Sequence, residues 1–175
     1  MKRRAKWNWP LAGLLAVVLT TACGRSPGSL RVSGLYLGMA LDDALLAAEE
    51  LYHRVEGAAF KPVRWSQMDS TTVHTDRPPA LDIVIGARDG RVRLITLNPG
   101  LVELLYASKG LSAGQLAQRF AAEHGLPAME HGINTNPPRP EHYWQYVSRR
   151  GWKIVLDEGR DIVLSYWRSE PGEKF

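Results

Sequence analysis

The sequence predicts an α+β fold in which helices pack on an antiparallel sheet. Two segments space their apolar residues by three and four, as an amphipathic helix requires. Several short runs rich in β-branched residues are punctuated by Asp-Gly or Glu-Gly, as hairpins require. A helix followed by a strand and a hairpin occurs twice, an order that suits helices laid on a sheet.

Residues 1–22 read as a secretory signal. Lys2, Arg3, Arg4 and Lys6 make a positive start, Leu11 to Leu19 is an apolar and glycine run, and Thr20-Thr21-Ala22 supplies small residues before Cys23. The apolar run is too short for a transmembrane helix, which needs about 20 such residues. These residues resemble the bacterial lipoprotein signal, whose lipobox ends in Ala or Gly before the lipidated Cys. Thr20 stands where that pattern favours Leu, with Leu19 one place early. The resemblance covers residues 1–23 and implies cleavage before Cys23 and lipidation of its sulfur. An ordinary secreted protein, with Cys23 near the cut by chance, is the alternative.

Cys23 is the only cysteine, which excludes an intramolecular disulfide and leaves a lone thiol that lipid attachment would explain. The chain has 22 Lys+Arg and 18 Asp+Glu, and removing the four basic residues of the signal leaves 18 against 18. Net charge therefore gives no reason to expect nucleic acid as a partner. Gly24 follows the cysteine where an acidic residue retains some lipoproteins in the inner membrane. By analogy with enteric sorting, that points to a periplasm-facing protein anchored in the outer membrane. Residues 23–29 are the lipidated cysteine and a small, polar linker. Its six residues after Cys23 reach at most about 20 Å at roughly 3.3–3.6 Å each.

The folded domain is expected over residues 30–168, followed by a tail at 169–175. Leu30 to Leu37 reads as a short strand broken by Gly34. A helix follows from Met39 to about Arg54, with Leu41, Leu45, Ala48 and Tyr52 on one stripe, Asp42 and Asp43 at its positive end, and Gly57 beyond it. Phe60 to Gln67 is a strand that Pro62 assigns to a sheet edge. Met68 to Ala80 reads as a loop. Leu81–Ile85 and Val92–Leu97 flank Arg88-Asp89-Gly90-Arg91, a hairpin turn because glycine accepts the positive φ demanded there. Ser112 and Gln115 form a capping box between the staple residues Leu111 and Leu116. The helix they begin carries Phe120 on the Leu116 face and ends at Gly125. Leu126 to Glu141 reads as a proline-rich loop. His142–Ser148, Trp152–Leu156 and Arg160–Trp167 are strands, with Glu158-Gly159 turning the last pair.

The repeated order admits an internal duplication, with repeats 30–98 and 101–168. Asp82 to Ile85 would correspond to Lys153 to Leu156, and Gly90-Arg91 to Gly159-Arg160. Apolar hairpins also look alike by chance. The step Gly34-Leu-Tyr-Leu-Gly38-Met39 into a helix resembles small outer-membrane assembly lipoproteins of the SmpA/OmlA type, and the tandem β-lactamase-inhibitor-protein fold related to them. Ala40 stands where that pattern has a hydroxyl residue. The resemblance implies binding of proteins without catalysis.

No catalytic constellation is legible. Glu123-His124, Glu130-His131 and Glu141-His142, with His53 and His74, lack the i, i+4 histidine pair of a helical zinc site, so no metal ligand is assigned. Ser66, Ser70, Ser108 and Ser112 lack a glycine-rich elbow. Glu49 and Glu50 are helix neighbours that face apart. No phosphate loop or dinucleotide fingerprint is present, and no cofactor is expected.

Aromatics are the more suggestive feature. Tyr143, Trp144 and Tyr146 share a strand, with Trp144 and Tyr146 on one face and Tyr143 on the other. One face must be core, and Trp and Tyr serve both in cores and at binding hot spots. The expectation is a membrane-tethered, non-enzymatic protein-binding or adaptor module of the cell envelope, with Tyr143, Trp144 and Tyr146 as candidate partner contacts. The alternatives are an envelope enzyme or metal-binding protein using the histidine loop 124–142, and a structural lipoprotein without a specific ligand.

Overall fold

A computed structural model describes residues 30–56, 61–67, 70–75, 81–135 and 140–166. The signal 1–22, Cys23, the linker to residue 29, Gly57, Phe60, Trp167 and the tail 169–175 lie outside the described residues. So does the centre of the proline-rich segment, 136–139.

Among the described residues, three helices lie on one eight-stranded antiparallel sheet, as the α+β expectation requires. The segment before the first helix is not a sheet strand. Ser33 and Gly34 both have positive φ (50 and 93°), so the chain reverses at once and Val32 and Leu35 exchange backbone hydrogen bonds of 2.9 Å. This delivers Val32, Leu35, Leu37 and Met39 into the core as a plug. Gly38 and Met39 then bond to Val92, and Leu41 N–H donates to Gly90 O at 2.9 Å.

Helix α1 (Leu41–Glu56) buries Ala44, Leu45, Ala48, Leu51 and Tyr52, the stripe expected of a 3.6-residue period. The Tyr52 hydroxyl donates to Leu81 O. Strand β1 (Pro62–Gln67) is an outermost strand, where proline costs no ladder bond. It pairs with β2 (Ser70–Thr75), so the expected loop 68–80 contains a strand. Polar Ser, Thr and His flank the single buried Val73 there, and this hides the alternation. Strands β3 (Ile83–Arg88) and β4 (Arg91–Leu97) form the anticipated hairpin, with positive φ at both Asp89 and Gly90 (51 and 69°).

A short helix, α2 (Pro99–Tyr106), follows and has no counterpart in the sequence reading. It starts on a proline, Asn98 makes no side-chain cap, and Ala107 ends it at φ 45°. Helix α3 (Ala113–Glu123) has the full capping box: Gln115 N–H donates to Ser112 Oγ at 3.3 Å and Ser112 N–H to Gln115 Oε1 at 2.9 Å. Gly125 (φ 62°) closes it, with Leu126 N–H on Ala121 O at 2.8 Å, the six-to-one bond of a Schellman cap.

The expected loop 126–141 contains strand β5 (Glu130–Asn134), which pairs with β6 (Glu141–Val147). Strands β7 (Trp152–Asp157) and β8 (Ile162–Tyr166) complete the sheet. In their connection the residue at positive φ is Arg160 (72°), not Gly159, because a tight turn at Asp157–Arg160 hands the left-handed position to its last residue.

The strand order is β1-β2-β3-β4-β8-β7-β6-β5. Two four-strand meanders thus meet where β4 pairs with β8, Ile95 opposite Leu164 and Leu97 opposite Ile162. One core cluster joins Ile83, Ile85, Ile95, Leu97, Ile154, Leu156, Ile162 and Leu164 to the buried stripes of all three helices. Burial alternates along β3, β7 and β8, so one sheet face is packed and the other is only half-buried. No described helix is long and apolar enough to cross a membrane.

Candidate functional site

The half-buried face opposite the helices is built by strand parity. Ile83, Ile85, Ile154, Leu156, Ile162 and Leu164 point into the core, so the residues between them point away from it. Cross-strand register aligns those residues into rows. One row runs Gln145, Val155, Val163, Thr96, Val84 over five strands. Beside it run Val147, Lys153, Ser165, Leu94, Gly86 and Thr72. Most of these side chains are β-branched or carry a small hydroxyl, with Gln145, Lys153, Leu94 and Gly86 among them, and suit a pleated half-buried surface.

Two glycines on this face are covered by their partners across the ladder. Leu94 lies over Gly86, 3.1 Å from where a Cβ would stand, and the Tyr143 ring lies over Gly132. Toward the β5 end the face dips into an open cavity of about 490 Å³, lined among others by Asn134, Tyr143, Gln145, Lys153, Val155 and Asp157. Its polar groups carry both signs of charge. Asp157 Oδ1 accepts from Asp161 N–H at 3.0 Å, while burial, and then Asp157 itself, push the Asp161 carboxyl above its ordinary pKa.

The three candidate aromatics divide between the faces. Trp144 stands opposite Leu156 and Tyr146 opposite Ile154, and both pack against the core. Trp144 packs against Gly114 at the start of α3, its Cζ2 3.2 Å from an ideal Cβ position there. Tyr143 alone lies on the half-buried face, which no helix covers among the described residues, opposite Asp157. The sequence reading missed Thr96, Gln145, Lys153, Val155, Asp157 and Val163 as members of that face. Alternation along Trp152–Asp157 and Ile162–Tyr166 was the available signal, once the strand ends were placed.

The histidines separate into distinct settings. His124 Nε2 is 3.0 Å from the Tyr106 hydroxyl, beside Phe120. Burial holds the His124 imidazole below its ordinary pKa, opposed by Glu123, and burial with Glu123 pushes the Tyr106 phenol far above its own. Neutral His124 and the Tyr106 hydroxyl thus share one hydrogen bond, a closing contact between α2 and α3. His131 and His142 meet at the sheet edge. His53 is exposed on α1 and His74 sits on β2. Among the described residues no three His, Cys, Asp or Glu side chains converge as a metal site.

Ser112 is a cap, Ser66 Oγ bonds Thr71 Oγ1 at 3.1 Å, Ser70 begins β2, and Ser108 is 1% exposed with no hydrogen-bond partner for its Oγ among the described residues. Glu49 and Glu50 are exposed on α1.

No protein-family model, no curated protein and no solved structure matches this chain.

Proposed function

We propose that this chain is a lipid-anchored envelope protein that binds a protein partner, without catalysis, on the uncovered face of its sheet. The observation that carries the reading is the size of that face. Eight strands about 4.8 Å apart span about 34 Å, and strands of about six residues run about 20 Å. The product is on the order of 700 Å², close to the roughly 800 Å² that each side of a standard protein interface buries. A small molecule needs an enclosing cleft instead. The face offers β-branched side chains at its centre, Tyr143 and Gln145 toward one end, and Lys153 and Asp157 for orientation.

The anchor belongs to the same proposal. Cleavage before Cys23 and a linker reaching at most about 20 Å would hold the domain at the periplasmic side of the membrane, the outer one by the Gly24 argument. An internal duplication also belongs here. It is supported by the two meanders, each preceded by a helix, meeting at equivalent last strands.

Photo-crosslinking in the cells that make the protein tests the reading. A crosslinker at Thr96, Val155 or Ser165 should give one discrete protein adduct, whereas one at Glu50 on α1 should give none. Adducts from Glu50 alone, or none from the three face positions, would reject it. Intact mass and fractionation, with Cys23→Ala as the comparison, test the anchor separately. An unlipidated soluble product would replace it with a freely secreted binding protein.

A further inference from the structure

On the other side of the sheet, at its free edge, two histidines meet nitrogen to nitrogen. His131 Nε2 on β5 lies 2.9 Å from His142 Nδ1 on β6. The ring planes are 8° from parallel and the centroids 5.1 Å apart. A nitrogen contact that short, with centroids that far apart, leaves the rings edge to edge and nearly coplanar. Each nitrogen therefore aims its lone pair or its proton at the other.

The surroundings fix this arrangement. His131 stands opposite Trp144 and His142 opposite Ile133, so the ladder holds the two imidazoles as diagonal neighbours. The Trp144 ring lies 5.0 Å from that of His131 and is backed by α3 at Gly114. Glu158 Oε2 accepts from the His142 backbone N–H at 3.2 Å, which sets a negative charge beside the pair. His131 is exposed and His142 half-buried, so an ion in solution can reach them.

We propose that His131 and His142 form a two-imidazole site for a divalent transition metal, copper(II) in preference to zinc. Imidazole suits both metals, and copper(II) is the stronger binder in the general order of divalent ions. The 2.9 Å separation is that of an N–H···N hydrogen bond, and it brings both donor nitrogens within a small ring swing of one ion. Binding swings the rings so that their facing lone pairs share one apex. The proton between them is taken up on the far nitrogen of its own ring, so no proton is released and no oxidant is needed. Water fills the remaining positions, since no third ligand converges among the described residues.

The full chain in detergent, carrying Cys23→Ala to remove its only thiol, is titrated with Cu²⁺ and separately with Zn²⁺ by calorimetry. Electron paramagnetic resonance follows the copper. One Cu²⁺ per chain, a tetragonal spectrum with imidazole nitrogen coupling, and Zn²⁺ at least tenfold weaker are expected. His131→Ala and His142→Ala should each weaken Cu²⁺ at least tenfold with the metal-free melting curve unchanged, while His53→Ala and His74→Ala leave it alone. Absence of stoichiometric copper, copper that survives both pair variants, or zinc as tight as copper would overturn the assignment. His142 also borders the open cavity beside Tyr143, whereas the crosslinking positions Thr96, Val155 and Ser165 lie apart from the pair, so the two readings fail separately.

Discussion

The Tyr143 ring on β6 lies over Gly132 on β5, its cross-strand partner, so closely that a methyl group on Gly132 would overlap it. The glycine makes room for the aromatic, and the aromatic shields a backbone that would otherwise lie open at the sheet edge. Gly132→Ala should therefore cost about 1–3 kcal/mol by overpacking. In a Tyr143→Ala background the same change should be neutral or stabilising, because alanine orders the unfolded chain more than glycine does. Urea unfolding of the four proteins measures the coupling, and additive effects would refute the contact.

Neighbouring residues of β8 belong to opposite faces. Leu164 is 1% exposed in the core and Val163 half-buried on the uncovered face. Leu164→Ala should cost about 2–5 kcal/mol. Val163→Thr should cost about 1 kcal/mol or less, as a surface change does. Equal losses in denaturant titrations would mean that both faces are packed.

Ser112 and Ser108 make an equally sharp pair. Ser112 caps α3, so Ser112→Ala should lower stability by about 0.5–2 kcal/mol. Ser108 is buried with no hydrogen-bond partner for its Oγ among the described residues. Ser108→Ala should be neutral or stabilising, because it removes a desolvated hydroxyl without leaving a partner behind. Thermal melts of the two variants decide this.

Ala107 ends α2 in the left-handed region, φ 45° and ψ 45°. That conformation costs a residue with a Cβ about 1–2 kcal/mol, and glycine gives back about 0.5–1 kcal/mol in chain entropy. Ala107→Gly should therefore stabilise the protein by about 0.5–1 kcal/mol in equilibrium unfolding. Destabilisation would mean that the Ala107 methyl makes a contact worth more than the strain.

Acid should loosen the α2–α3 contact. His124 has a folded pKa below its ordinary 6.5, chiefly from burial, so between the two values the unfolded chain binds the proton more readily. Stability is thus complete above about pH 6.5, falls as the pH drops toward the folded value and levels off below it. The stability difference between the native protein and His124→Gln should shrink over that window. A nuclear magnetic resonance titration placing His124 at or above 6.5 would reverse the sign.

What the residues could determine alone was what neighbours in the chain decide. The Ser112–Gln115 box, the Gly125 stop and the Asp89-Gly90 turn were legible because each is complete within a few residues. So were the stripe of α1 and the edge placement of β1 by Pro62. The proposed secretion signal and lipidation of Cys23 rest on the sequence only. Tertiary structure decided the rest. Strands β2 and β5 exist because β1, β3 and β6 supply their hydrogen bonds, which their polar and glycine-containing sequences do not announce. Helix α2 forms without a side-chain cap because Leu101, Val102 and Tyr106 are buried by the core. The junction of β4 with β8 unites segments far apart in the chain, and it alone turns two small sheets into one broad face. Parity then sends Tyr143 out and Trp144 in, and the β5–β6 ladder brings His131 against His142. Local rules set turns and caps, whereas pairing free energy is realised only when distant strands meet.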